Sequence, residues 1–229
     1  MNNKIINIDV VGKVADGLKE LREKVVFIGG AVISLYTDDP AADEIRPTTD
    51  IDMTIDIASY SELTAVQQRL LDLGFSPDHQ GHSIITYFYN GIAVDIMPAD
   101  DSAVGVSNQW YKPGFDNLEK IELENQLVIR IFTAPYFLAT KFDAFKDRGN
   151  CDYPGSHDFE DIIYLLDNRT TIVQEILNAD ENVKTYLINE ITQLLKHRQS
   201  HEILSMHIHP LVVDDRYPLL IEKLNAIIV

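Results

Sequence analysis

Cysteine, long apolar runs and basic residues are all scarce in this sequence of 229 residues. With Cys151 as the one cysteine, the chain can form no internal disulfide and no thiolate metal site. The longest apolar runs, such as Val25-Val-Phe-Ile28, are far shorter than the roughly 20 residues of a membrane-spanning helix. The first residues lack the apolar stretch and cleavage site of a signal peptide. We therefore expect a cytoplasmic protein without membrane contact.

Basic side chains are outnumbered, with 19 Lys and Arg against 36 Asp and Glu, so the formal net charge is −17. Such a surface repels polyanions, which excludes bulk nucleic-acid binding. One stretch runs against this trend, because Arg130, Lys141, Lys146 and Arg148 outnumber the acids between them. That stretch is a candidate for local docking of a nucleic acid.

The hydrophobic pattern changes near residue 130. Before it, alternating and helical spacings predict a mixture of strands and helices, and a polar insert over residues 37–49 predicts a loop. After it, the spacing predicts helices alone. We predict an α+β (mixed α/β) domain with a mixed sheet over residues 1–128 and a C-terminal helical domain over 129–229. Strands are predicted at 25–28, 50–57, 84–89, 92–96 and 126–132, and helices at 12–24, 31–36, 63–73, 134–147, 158–167, 171–178, 183–198 and 216–227.

Three aspartates stand out in the first domain. Asp50 and Asp52 lie two residues apart in an alternating strand, so both side chains leave the same face. Asp95 lies on the second strand of a hairpin whose Asn90-Gly91 turn favours type I′ geometry. Neighbouring carboxylates repel each other and commonly persist because a cation lies between them, and hard oxygen ligands suit Mg²⁺. The alternative is that Asp50 closes a turn and Asp52 is an ordinary surface residue.

A glycine pair, Gly29-Gly30, follows the apolar strand at 25–28 and opens a predicted helix. Exposed backbone N–H groups at such a junction can hold phosphate, and glycine lets a ligand approach the backbone closely. Alone the pair is a weak signal. Followed by Asp50, Asp52 and Asp95, it indicates a site for phosphate and divalent metal.

These segments resemble a known signature. Phe27-Ile-Gly29-Gly30, Asp50-Ile-Asp52-Met53 and Val94-Asp95-Ile96 together resemble the DNA polymerase β-type nucleotidyltransferase superfamily. Over most of residues 25–170 the chain is similar to uncharacterised bacterial proteins of its AbiEii-type toxin branch. The resemblance implies a polymerase β-like core, ligation of Mg²⁺ or Mn²⁺ by the three aspartates, and transfer of a nucleoside monophosphate from an NTP. The insert makes the separation between Gly30 and Asp50 longer than is usual in the superfamily.

Two further residues come from the helical half. Lys141 falls within the apolar face of the predicted helix at 134–147, where it either snorkels to solvent or meets an anion. Asp158 and Asp161 open the next predicted helix, where acids stabilise the helix dipole. The resemblance implies instead that Lys141 faces the triphosphate and that Asp158 lies near the active site.

We predict a metal-dependent nucleotidyltransferase acting on an acceptor hydroxyl of tRNA, a protein or a small molecule, with tRNA or protein favoured. The resemblance implies a bacterial toxin of a toxin–antitoxin or phage-defence pair, with an antitoxin protein as partner. Asp50, Asp52 and Asp95 are the predicted catalytic and metal-binding residues, and Gly29, Gly30, Lys141 and Asp158 the predicted nucleotide-binding residues. Two alternatives stay open: a non-catalytic nucleotide-binding or protein-interaction module, and a D-x-D sugar-nucleotide glycosyltransferase.

Overall fold

The computed structural model describes residues 7–42, 45–57, 59–78, 86–100, 108–124 and 126–229. The chain divides into two compact units. The sheet unit comprises Met1–Leu35 and Ile45–Thr133, and the helical unit comprises Tyr36–Glu44 and Ala134–Val229. The predicted domain boundary after residue 128 stays a prediction. Within the described ranges, no helix is both long and apolar enough to cross a membrane.

The described strands of the sheet unit form one seven-stranded mixed sheet in the order β3-β4-β5-β2-β1-β7-β6. The β2–β5 and β1–β7 pairs are parallel, and the other pairs are antiparallel. The predicted mixed α/β fold class is therefore confirmed. The strands are β1 (Val25–Ile28), β2 (Asp50–Ile55), β3 (Ser76–Pro77), β4 (Thr86–Tyr89), β5 (Ile92–Pro98), β6 (Leu118–Glu122) and β7 (Val128–Phe132).

The β4–β5 hairpin follows the sequence pattern closely. Asn90 and Gly91 both adopt positive φ angles, of 51° and 76°, as a type I′ turn requires. In β5 the residues Ile92, Val94 and Ile96 are buried, and the positions between them are half-buried. The predicted strand residues 84 and 85 lie outside the described residues. The short strands β3 and β6 were missed, because neither has an apolar alternation that distinguishes it from a loop.

The helices of the sheet unit differ from the prediction in three places, one of which is the single helical turn at Tyr111–Gly114, which was missed. The predicted helix at 12–24 is divided into α1 and a 3₁₀ helix at Lys19–Glu23, and Lys19, with a φ of 50°, marks the break. The segment after the glycine pair is a 3₁₀ helix, Gly30–Tyr36, rather than an α-helix. The α-helices of this unit are α1 (Ile8–Gly17), α2 (Tyr60–Asp72) and the single turn α3 (Tyr111–Gly114).

The helical unit has an apolar core to which every long helix contributes a buried stripe. Phe137 and Phe159 are fully buried on two adjacent helices, and Leu187 and Leu224 are fully buried on two others. The predicted helices are all present, and the short α8 was missed. The helices are α4 (Ala134–Asp147), α5 (His157–Asn168), α6 (Ile172–Leu177), α7 (Glu181–Lys196), α8 (Ser200–Ser205) and α9 (Val213–Ile228).

The first part of the insert is a loop, as predicted, and it is anchored in the helical unit. The backbone N–H groups of Asp38 and Asp39 donate to the carbonyl of Asn168, at the end of α5. The Asp38 carboxylate accepts hydrogen bonds from the amide and hydroxyl of Thr170, at 2.7 and 3.0 Å. Arg216 of α9 donates to Asp39 at 3.0 Å. These contacts explain how the long insert is accommodated: it packs on the helices.

Candidate active site

The three predicted metal ligands come together in the sheet unit. Asp50 and Asp52 extend from β2, and Asp95 extends from the adjacent parallel strand β5, where the backbone of Asp95 is in register with that of Asp52. One carboxylate oxygen from each residue lies within 4.8 Å of the others, and all three residues are half-buried. Within the described residues, this carboxylate cluster is the one group of acids, histidines or cysteines that meets that spacing.

The strand pattern explains this geometry. Ile51 and Met53 are completely buried on one face of β2, so Asp50 and Asp52 must point to the opposite face. The same alternation in β5 buries Val94 and Ile96 and leaves Asp95 on the face of the other two aspartates. Parallel pairing of β2 with β5 then sets the carboxylates side by side. The alternation was readable in the sequence, but the pairing of these two strands was not.

Gly29 is required by the same site. Its φ of 74° lies in the left-handed region, and β1 places it beside Asp52. A Cβ atom at this position would collide with the Asp52 carboxylate and would lie 2.9 Å from the Asp52 Cβ. Any larger residue would therefore displace a member of the carboxylate cluster. Gly30 begins the following 3₁₀ helix, so backbone N–H groups lie at the junction where the sequence predicts phosphate binding.

Asp50 receives a local hydrogen bond that sequence analysis did not assign. The hydroxyl of Thr48, at the end of the insert, donates to Asp50 Oδ1 at 2.9 Å. Thr48 and Asp50 are both half-buried. A threonine two residues before an acid at the start of a strand is the one sequence signal for this contact, and it is a weak one.

Lys141 and Asp158 form a buried ionic cluster in the helical unit. The Lys141 ammonium contacts the carboxylates of Asp158 at 2.9 Å and Asp161 at 2.7 Å, and its side chain is only 6% exposed. Lys141 therefore does not snorkel to solvent. Arg148 adds two hydrogen bonds to Asp158, both at 2.9 Å. Asp161 follows Asp158 by one helical turn, so the two acids facing Lys141 could have been recognised from their spacing.

Electrostatics within this cluster favour the charged forms. Burial alone would lower the pKa of Lys141, but Asp161 and Asp158 outweigh that effect and raise it. Burial alone would raise the pKa of Asp158, but hydrogen bonds from Arg148 and the charge of Lys141 lower it from its usual 3.8 to about 2. Ser156, not Asp158, caps α5, because the Ser156 hydroxyl accepts from the Phe159 amide. Asp158 thus serves primarily as an ion-pair partner.

The basic stretch at 130–148 is less positive at its surface than its sequence suggests. Arg130 donates to the Val25 carbonyl at 3.1 and 3.2 Å, and Lys146 pairs with Glu190 at 2.8 Å. Lys141 and Arg148 are held by the acids of the buried cluster. The sequence-level excess of cations therefore overstated the charge available for docking a nucleic acid.

A mixed sheet with three convergent carboxylates and a glycine pair beside them is typical of enzymes that transfer phosphoryl or nucleotidyl groups. Residues 15–214 match the family model described as nucleotidyl transferase AbiEii toxin, type IV toxin–antitoxin system. The chain belongs to this family, as the sequence resemblance implied, and is a nucleotidyltransferase. The family match favours this prediction over both alternatives, the glycosyltransferase and the non-catalytic module.

Comparison with other proteins adds little beyond the family. No curated protein matches the chain. A solved structure of the antibiotic-resistance factor ANT(2'')-Ia is similar, with a TM-score of 0.48 and 17% sequence identity, over 84% of this chain and 96% of that chain. At that level of similarity the comparison says nothing about the substrate.

Proposed function

We propose that this protein transfers a nucleoside monophosphate from an NTP to an acceptor hydroxyl with the help of divalent metal held by Asp50, Asp52 and Asp95. The observation that carries the proposal is the convergence of three carboxylate oxygens within 4.8 Å of one another. Carboxylates this close repel each other, and a divalent cation between them removes the repulsion.

The donor set fits Mg²⁺ or Mn²⁺. Both ions are hard cations that bind carboxylate oxygens together with substrate phosphates, and the three carboxylates are only half-buried. The absence of a side chain at Gly29 is part of that fit, since a Cβ there would occupy the space of the Asp52 carboxylate. When bound, the metal supplies charge neutralisation for the triphosphate.

The proposed reaction is an in-line displacement at the α-phosphorus of the NTP. The acceptor oxygen forms a bond to the α-phosphorus while the bond from that phosphorus to the bridging oxygen of the β-phosphate breaks, and pyrophosphate leaves. Asp95 takes the proton of the acceptor hydroxyl. The backbone N–H groups at Gly29 and Gly30 hold the triphosphate. The nucleotide-binding role that the family resemblance implies for Lys141 and Asp158 stays a prediction. Catalysis then consists of positioning and charge stabilisation.

The family description supports a proposal for the biological role. A toxin of a toxin–antitoxin system implies an antitoxin protein that silences it, and we propose this role for the chain. The acceptor is the hydroxyl of tRNA, of a protein or of a small molecule. The net charge of −17 disfavours broad attraction of RNA, so a tRNA acceptor requires recognition at a few defined contacts.

Label transfer tests the proposal directly. The protein is mixed with Mg²⁺, each α-³²P-labelled NTP in turn, total RNA and cell lysate, and the label is followed into RNA, protein or small molecules. RNase and protease treatment then assign the acceptor class. We expect the Asp50→Ala/Asp52→Ala variant to lose the label.

Asp56→Asn is the matched control. Asp56 comes directly after β2 and shares the even-numbered alternation of Asp50 and Asp52. It is exposed, however, and it pairs with Lys112 rather than joining the carboxylate cluster. This variant should label the acceptor as the unchanged protein does. NTP binding without any labelled acceptor, or equal labelling by the double variant, would contradict the proposal.

A further inference from the structure

The insert ends in a contact to the proposed metal site. Thr48, two residues before the start of β2, donates its hydroxyl hydrogen to Asp50 Oδ1 at 2.9 Å. Both residues are half-buried. Asp50 pairs with Ala93 of β5, whereas the pairing of β2 with β1 extends only as far as Asp52, so β5 alone holds the backbone of Asp50 within the sheet. The Thr48 hydroxyl is therefore a restraint on the carboxylate from the side of the insert.

This hydrogen bond has an electrostatic consequence. The three carboxylates lie within 4.8 Å of one another, so an unrestrained Asp50 side chain would rotate away from its negative neighbours. A hydrogen bond to an ionised acceptor is roughly twice as strong as a hydrogen bond to a neutral one. One hydroxyl hydrogen occupies a single lone pair of Oδ1, so the remaining lone pairs of the carboxylate stay available for a cation.

We propose that Thr48 is a positioning residue for the metal-binding carboxylate Asp50. The inference rests on the proposed function, because it gives Thr48 a role only if the carboxylate cluster binds a divalent cation. Residues that hydrogen-bond to metal ligands orient those ligands, and their loss commonly lowers metal affinity by about 10- to 100-fold. Thr48 acts in this way on Asp50 and does not itself touch the metal or the substrate.

Thr48→Val is the decisive variant, because valine keeps the branched shape of threonine and removes only the hydroxyl. Mn²⁺ is titrated into the protein without nucleotide, and free Mn²⁺ is followed by electron paramagnetic resonance. We expect Thr48→Val to weaken Mn²⁺ binding by about tenfold, and Thr48→Ser, which restores the hydroxyl, to bind as the unchanged protein does. In label transfer, Thr48→Val should raise the Mn²⁺ concentration that gives half-maximal rate and leave the rate at saturating Mn²⁺ nearly unchanged.

Thr49→Val is the matched control, since Thr49 is the exposed neighbour on the same segment. A merely structural role of Thr48 predicts a lower melting temperature with unaltered Mn²⁺ affinity, and that result would overturn the inference. An equal loss of affinity in Thr49→Val would overturn it as well.

The Asp50→Asn and Asp52→Asn variants separate this inference from the proposed function. If both variants lose Mn²⁺ binding while Thr48→Val retains it, only the role of Thr48 is wrong. If neither Asp variant changes Mn²⁺ binding, the proposed metal site itself is wrong and the Thr48 inference falls with it.

Discussion

Replacing Asp158 with asparagine tests the buried ionic cluster of the helical unit. The change keeps the size of the side chain but removes the charge that offsets Lys141 and Arg148. Lys141 would be left with Asp161 alone in a setting where its side chain is only 6% exposed. Breaking a buried pair from one side is costly because the remaining charge stays desolvated.

The magnitude follows from the pKa of Asp158. A carboxyl whose pKa falls from 3.8 to about 2 on folding contributes about 2 kcal/mol to the free energy of unfolding at neutral pH. Solvent screening lowers the part that comes from Arg148, whose side chain is 63% exposed, more than the part that comes from the buried Lys141. We therefore expect Asp158→Asn to lower the free energy of unfolding by about 2 to 4 kcal/mol at neutral pH.

The pH dependence has a definite sign. Because folding lowers the pKa, the contribution is complete above the unfolded value of 3.8 and is lost as the pH falls through about 2. The stability difference between the unchanged protein and Asp158→Asn should therefore shrink by about 1 kcal/mol between neutral pH and a pH of roughly 3.

Urea unfolding at several pH values measures the stability difference. A carboxyl ¹³C NMR titration measures the pKa of Asp158. Asp16→Asn is the control, because Asp16 pairs with Lys19 on the exposed surface and should show little effect at any pH. A titration midpoint for Asp158 at or above 3.8, or a stability difference that does not change with pH, would refute the reasoning.

Three further predictions concern the site and the insert. Gly29→Ala should abolish Mn²⁺ binding and label transfer, because the added Cβ collides with Asp52. Gly91→Ala is the control: Gly91 has a similar φ but lies in open space, so the change should cost only about 1 to 2 kcal/mol of unfolding free energy. Equal losses of Mn²⁺ binding in the two variants would disprove the collision. Arg216→Ala should destabilise the protein by about 3 kcal/mol and speed amide hydrogen exchange in the insert that Arg216 anchors; unchanged exchange would contradict that anchoring. Arg69→Ala, which removes an exposed ion pair, should leave the melting temperature unchanged, and a clear drop by calorimetry would be inconsistent with this.

Much of the candidate site could be predicted because it depends on local patterns. The alternation in β2 and β5 assigns Asp50, Asp52 and Asp95 to the face away from the core, and this holds for any sheet that buries the intervening apolar residues. The Asn90-Gly91 turn is likewise local, since its positive φ angles suit these two residue types.

Some local expectations were wrong where neighbouring structure overrode the pattern. The residues after Gly30 have helical spacing yet form a 3₁₀ helix. For Lys141, which lies on an apolar helix face as its spacing predicted, the structure decides between the two alternatives: the ammonium meets carboxylates from α5 and does not snorkel to solvent. The spacing of Asp158 and Asp161 places both acids on one face of α5, but the periodicity of α4 does not reveal that this face packs against Lys141.

By itself, the sequence determined the mixed α/β class, the family, the glycine pair and the faces on which the three aspartates lie. Only the tertiary structure decided that β2 pairs in parallel with β5 and sets Asp52 beside Asp95. It also decided that the first part of the insert is held by the end of α5 and by α9, through Asp38, Asp39 and Arg216. The physical reason is that periodicity reports which side of an element is buried, whereas strand partners and ion-pair partners are chosen by contacts between residues far apart in the chain.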